Sequence, residues 1–337
     1  MEQKQPFTVE VTRGGMVESR HYGTAIIVDA KGKVLHSWGD ADQLIYPRSA
    51  IKPLQSLALL ESGAADHYQL SDAEVALASS SHSSEPLHIN AVSAWLKRIG
   101  LGAADLECAG HLPSNEKAAH DMIRSGEEIT TIHNNCSGKH TGFLSTCLHL
   151  GEQTKGYIQA DHPVQERLLR ILSEMGDCDL SGTPRGIDGC GIPVIGMPLA
   201  GMALAMARMA APEGLETKRA AAAKRIVPSM AAHPAHVAGT GRFDTVAMTA
   251  ARGRFTTKTG AEAVHAGIIP ELGVGIALKV EDGNKRGSDV AIANILDLLG
   301  VLDDTACEGL KDFLDMPVTN AAGSLVGHVS MQDGWAG

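Results

Sequence analysis

Strand-patterned segments lie at the two ends of this chain and a long helical run fills its middle, an order that few folds accommodate. Near the start, residues 7–12, 24–28 and 34–38 are β-rich, with Gly14-Gly15 and Asp29-Ala30-Lys31-Gly32 as turns. From about residue 48 to 230 the apolar period becomes helical, with candidates at 49–61, 85–99, 114–123, 137–150, 163–175 and 198–210. Pro163 and Pro198 suit first-turn positions, where a missing N–H is no loss. After Phe243 the strand pattern returns, with strands at 272–280 and 324–329 around a helix at 288–299. One antiparallel sheet built from both termini, with the helical region inserted between, satisfies this order. The expectation is an α+β sandwich forming a single domain of two lobes. The sheet lobe would hold about 1–45 and 240–337, and the helical lobe about 46–239.

Composition narrows the function classes. A net charge of −10 argues against a nucleic-acid or anionic-membrane surface. The longest apolar stretch, 192–211, is interrupted by Pro193, Gly196, Pro198, Gly201 and Arg208, and reads as a buried helix rather than a membrane span. The polar opening Met1-Glu2-Gln3-Lys4-Gln5-Pro6 lacks a secretory apolar core, so a cytoplasmic location is expected. Six cysteines spread over 337 residues then read as free thiols or metal ligands rather than disulfides.

Five segments carry chemistry. Ser49-Ala50-Ile51-Lys52-Pro53 holds Ser-x-x-Lys, and residues three apart share a helix face, so a neutral Lys52 amine can take the Ser49 proton. Pro53 would clash with the carbonyl of residue 49 in a continuous helix, which puts Ser49 at the helix start. The same pattern recurs at Ser114 and Lys117, so it is not specific by itself. Lys258-Thr259-Gly260 follows a Thr-rich β-like run. In penicillin-binding proteins and class A β-lactamases such a tripeptide borders the cleft of the Ser-x-x-Lys; otherwise it is a turn before a helix at 261–266. Ser79-Ser80-Ser81-His82-Ser83-Ser84 stands between these two, and Ser83 or Ser84 could instead cap the next helix. Finally, Cys136 and Cys190 sit in Gly/Asn-rich loops. With His140 and Asp188 they could form a zinc site by ligand type, although neither loop has common metal-site spacing. Cys108, Cys147, Cys178 and Cys307 read as small buried hydrophobes.

Together these segments resemble the rhizobial-type (class 3) L-asparaginases, whose fold is like that of serine β-lactamases and glutaminases. The resemblance is carried by Arg13-Gly14-Gly15 with Glu18-Ser19 and His21, and by Pro47-Arg48-Ser49 with Lys52-Pro53. It continues through Ser81-His82-Ser83, Asn135-Cys136-Ser137-Gly138-Lys139-His140 and Asp188-Gly189-Cys190-Gly191. Further on it includes Gly239-Thr240-Gly241-Arg242-Phe243-Asp244, Lys258 with Gly260-Ala261-Glu262, and Asp282-Gly283. The Cys-Ser-Gly-Lys-His and Asp-Gly-Cys-Gly pair is the specific part. Ser84 departs from the pattern, which expects Gly there.

The resemblance implies a cytoplasmic asparaginase, acting on L-asparagine without nucleic-acid or membrane partners. It implies two catalytic tandems, Ser49 with Lys52 and Ser81 with Lys258. It also implies one Zn²⁺ per chain on Cys136, Lys139 and Cys190, and Arg48, His140 and Asp188 around the substrate. A homodimer is the expected assembly. Converging lysines beside a cation would each favour the neutral, basic form of the others. The competing readings are a glutaminase or penicillin-recognising serine hydrolase, a zinc-water hydrolase, and a non-enzymatic amino-acid-binding protein.

Overall fold

The computed structural model of the chain describes residues 5–336. Its strands are β1 (Phe7–Arg13), β2 (Met16–Asp29), β3 (Val34–Trp38), β4 (Leu44–Ile45), β5 (Arg185–Ile187), β6 (Pro193–Ile195), β7 (Met197–Pro198), β8 (Thr256–Thr259), β9 (Val264–Ile269), β10 (Val274–Val280), β11 (Met316–Thr319) and β12 (Leu325–Met331). The main sheet runs β11-β12-β1-β2-β10-β9-β8, antiparallel throughout, with β3 also paired to β2. Both ends of the chain therefore close one sheet, and the helical region is inserted between β3 and β8. This is the α+β arrangement expected from the end-to-end pattern.

The sheet is covered on both faces. Along β2, Ile26 and Val28 enter the core beneath the inserted helices, while Ala25 and Ile27 enter a second core. That second core is built from the helices Phe243–Ala251, Lys285–Leu298 and Asp304–Leu314. Burial on both faces explains why residues 24–28 read as one apolar run, not as an alternation. The helix Leu199–Ala210, buried along most of its length, crosses the inner face at Gly275. A Cβ on Gly275 would lie 2.2 Å from Ala203 O and Ala207 N, so only glycine lets the helix backbone sit this close. No helix among the described residues is long and apolar enough to cross a membrane.

Several expectations change. The stretch after Phe243 is a helix to Ala251 before the strands resume. Phe243, Ala247 and Ala251, spaced by four, form its buried stripe. The first helix is broken into a 3₁₀ turn, Arg48–Ile51, and two short helices, Lys52–Gln55 and Leu57–Glu61, with Pro53 in the first turn of the former. Lys258 and Thr259 lie on a strand, and residues 264–269 form β9 rather than part of a helix. Neither Ser83 nor Ser84 caps the helix Pro86–Arg98, whose N-cap position is Glu85. Their hydroxyls instead donate to Ala238 O and His133 O from buried positions. The helix expected at 114 begins at Glu116, capped by Asn115. The helices Asp72–Ala78, Thr217–Ala232 and Asp304–Leu314 were not expected. The first carries a readable signal, a capping box in which Ser71 and Glu74 bond each other's backbone N–H.

Candidate active site

The site forms where the broken first helix meets the serine run. Lys52 is 1% exposed, and its Nζ donates to Ser81 Oγ at 2.8 Å, Ser80 O at 2.5 Å and Cys136 Sγ at 3.1 Å. An ammonium has three donors. All three are used, and none goes to Ser49. The Ser81 backbone is pinned at both ends. Its N–H donates to Val237 O at 2.9 Å, and its carbonyl accepts from Arg242 Nη1 at 2.9 Å. Ser49 stands half-buried in the 3₁₀ turn. Arg48, just before it, has φ +51°, a left-handed conformation that is strained for a residue with a side chain. Its guanidinium Nε donates to Asp188 Oδ1 at 2.7 Å.

Two loops bring the thiols together. Cys136 enters the helix Ser137–Leu150, whose first turns carry Lys139 and His140, and Cys190 lies in the β5–β6 hairpin just after Asp188. Lys139 Nζ donates to Cys190 Sγ at 3.0 Å. The neighbouring Cys190, then the charges of Lys52 and Lys139, hold the Cys136 thiol well below its ordinary pKa against the cost of burial. Burial opposes charge on Lys139, yet the two neighbouring cysteines raise its pKa. Burial also disfavours charge on Asp188, but Lys139 and Arg48 keep it an anion.

By donor type, two cysteine sulfurs and a lysine nitrogen suit Zn²⁺, which favours thiolate and nitrogen ligands. Lys139 must shed a proton to bind it. The alternative set with His140 and Asp188 does not assemble. No group of three or more His, Cys, Asp or Glu able to hold a metal occurs among the described residues.

Lys258 reaches the site from β8 and is 1% exposed. Burial, reinforced by the charges of Lys52 and Arg242 and opposed by Asp244, lowers its pKa to about 7. The Lys258 Nζ donates to Thr259 O at 2.6 Å. The end of β8 abuts the Ser49 turn, where a Cβ on Gly260 would lie 3.0 Å from Pro47 O and Ala50 N. His140 is fully buried, and burial holds its pKa well below the ordinary value. Tyr157 Oη accepts from Glu107 N–H at 2.9 Å and lies 2.6 Å from His140 Nδ1. The ring is neutral, and its Nε2 has no partner among the described residues.

The sequence-predicted residues therefore form one connected group. Lys52 bonds Ser81 and Cys136, Cys190 bonds Lys139 and Asp188, and Asp188 bonds Arg48; the two thiols act on each other across the junction, with Lys258 beside Lys52. Sequence reasoning gave no role to Tyr157, Arg242, Asp244 or His265. Arg242 and Asp244 lie in the Gly-Thr-Gly-Arg-Phe-Asp motif, whereas Tyr157 and His265 carry no local signal. A cavity lined by Arg48, Asp188, Gln55 and Ile192 holds about 20 Å³, little more than one water. The larger cavity of about 700 Å³ lies between the helices Pro86–Arg98 and Glu116–Ser125, away from these lysines. Of the remaining thiols, Cys108 and Cys147 are buried, while Cys178 and Cys307 are half-exposed rather than core residues.

Comparison with known proteins adds the following. The profile of the family described as L-asparaginase II matches residues 9–331. No curated protein sequence matches the chain. Among solved structures, the chain is similar to a protein named Mglu in its native form, at 15% identity and a TM-score of 0.44. That match covers 82% of this chain and 61% of Mglu, so the chain spans less than two thirds of Mglu's length. It is also similar to a putative β-lactamase from Bacteroides dorei, at 13% identity and TM-score 0.46, covering 82% and 92% of the two chains. A β-lactamase from Mycobacterium bovis gives 15% identity and TM-score 0.42, covering 83% and 95%.

Proposed function

The chain belongs to the L-asparaginase II family, and from that premise we propose that it is an amidohydrolase releasing ammonia from the side-chain amide of L-asparagine. The observation that carries the chemistry is the 2.8 Å hydrogen bond between Lys52 Nζ and Ser81 Oγ. A serine is a poor nucleophile until a base takes its proton. Burial, opposed by Cys136 and aided by Lys139, lowers the Lys52 pKa, and once the ammonium has given up a proton its lone pair faces the Ser81 hydroxyl as acceptor. Ser81 Oγ attacks the amide carbonyl carbon, Lys52 takes the proton and returns it to the departing ammonia, and an aspartyl ester remains on Ser81. Water then cleaves the ester, with Lys258, neutral above about pH 7, as the second base. Ser49 Oγ, half-exposed at the turn, presents its hydroxyl to the reacting group.

Substrate recognition follows from charge. Asp188 suits an α-ammonium and Arg48 an α-carboxylate, and a zwitterion beside the pair gives each a partner of opposite sign. The unpartnered His140 Nε2 offers the substrate a polar contact. Cys136, Cys190 and Lys139 would hold one Zn²⁺ per chain. When bound, the ion would supply a fixed positive charge at the site. The test is ammonia release by the purified protein. Asparagine should far outrun glutamine, because one methylene moves the carbonyl away from a fixed nucleophile. Comparable kcat/KM for the two would overturn the specificity, and no release from either would overturn the function.

A further inference from the structure

Asp244 serves no step of the reaction just described, yet it is among the most completely satisfied buried carboxylates of the chain. It sits in the first turn of the helix Phe243–Ala251, on the outer face of the sheet, and is 1% exposed. Its Oδ1 accepts from Thr257 Oγ1 at 2.9 Å and from His265 Nε2 at 3.1 Å, and its Oδ2 accepts from the Thr259 N–H at 2.9 Å. Those bonds grip β8 at the residues immediately before and after Lys258. Side chains alternate along a strand, so Lys258 projects to the opposite face, into the site.

The grip matters because of where β8 lies. It is only four residues long and is the last strand of the sheet, paired with β9 alone. Short edge strands lack half of their ladder and open easily. Asp244 supplies the missing restraint from the helix side, and His265, opposite Thr259 in the β9 register, ties the carboxylate to the neighbouring strand. The same strand end abuts the Ser49 turn through Gly260, so slack in β8 would reach Ser49 as well.

We infer that Asp244 is a positioning residue for Lys258, clamping edge strand β8 from behind so that the amine is held at the reacting group. The inference rests on Lys258 acting as a base in the proposed hydrolysis. The groups whose charge acts on Lys258 are Asp244 from the helix behind, Lys52 from the first helix, Arg242 from the loop before Asp244, and Cys136. Asp244 is the acidic member that touches β8.

Two variants test it. Asp244→Asn keeps the shape but removes the charge. Thr257→Val removes a single hydroxyl from the clamp and keeps the charge. Thr257→Val should lower kcat several-fold with KM within about twofold, and Asp244→Asn should lower kcat on the order of 10²-fold, the cost of about an ångström of misplacement. In protein with ¹⁵N-labelled lysine, the Lys258 Nζ titration midpoint should fall by about one unit or more in Asp244→Asn, because an opposing charge is lost. It should stay put in Thr257→Val. The midpoint is read without substrate, so it holds even if the wild type hydrolyses no amide, in which case the functional reading fails on its own. A lowered melting temperature in Thr257→Val with unchanged kcat overturns the inference, as does an unmoved midpoint in Asp244→Asn. Should Asp244→Asn not fold, Thr257→Val decides.

Discussion

The chain carries Ser-x-x-Lys twice, and the two copies have opposite surroundings. Lys117 stands on the helix Glu116–Ser125, 85% exposed, and pairs with Asp121 at 2.5 Å across one helical turn. Its neighbours Glu116, His120 and Asp121 all face water. Lys52 is 1% exposed, next to Leu54 and Leu57, which are wholly buried. The second copy is a solvated i,i+4 surface ion pair with no serine hydroxyl bonded to its lysine. Burial makes the first copy chemical, because removal from water is what lowers the Lys52 pKa. The comparison also separates sequence spacing from contact. Lys52 binds Ser81, from 29 residues away, rather than the serine three positions before it.

The largest expected effect tests that pairing. Lys52→Arg keeps a positive charge that cannot be shed at working pH, so kcat should fall on the order of 10³-fold, as for Ser81→Ala. The double variant should be scarcely worse than either, because one proton path has been broken once. If Ser49→Ala is the dead variant and Ser81→Ala stays active, the local motif has won over the tertiary contact.

Next in size is the metal. Cys136 touches Lys52, and nothing comparable stands near Lys117. Metal analysis should give about one zinc per chain, the tetrahedral-site expectation, and Cys136→Ser with Cys190→Ser should abolish it. Full zinc retention in that variant would place the ligands elsewhere.

A smaller effect concerns pH. Lys258 is depressed to about 7, so its neutral form is lost as pH falls through that value. The kcat/KM for asparagine should rise with pH and level off above about 7, falling roughly tenfold per unit below it. A profile flat from pH 5 to 8 would remove Lys258 from the proton path. Smallest of all, Ser114→Ala and Lys117→Ala should leave kcat and KM within about twofold, as surface changes usually do. Damage equal to that at Lys52 would erase the distinction between the two copies.

The sheet drawn from both chain ends was legible in the sequence because side-chain period is local: strands and helices differ in where apolar residues recur. The helix Ser137–Leu150 was expected as well, and it starts directly after Asn134-Asn135-Cys136. The Phe243–Ala251 and Thr217–Ala232 helices were not legible. Their alanine-rich faces give little contrast between buried and exposed sides, and Pro228 interrupts the second. At the site, the sequence by itself determined which residue types are available and in which loops they stand. It could not determine that Lys52 turns to Ser81, that Tyr157 bonds His140, or that Asp244 grips the strand of Lys258. Those contacts join segments 29, 17 and 15 residues apart. Each depends on how the helices and sheet pack, and on burial, which no short stretch of sequence contains. Two identical patterns, one in water and one in the core, differ only in that.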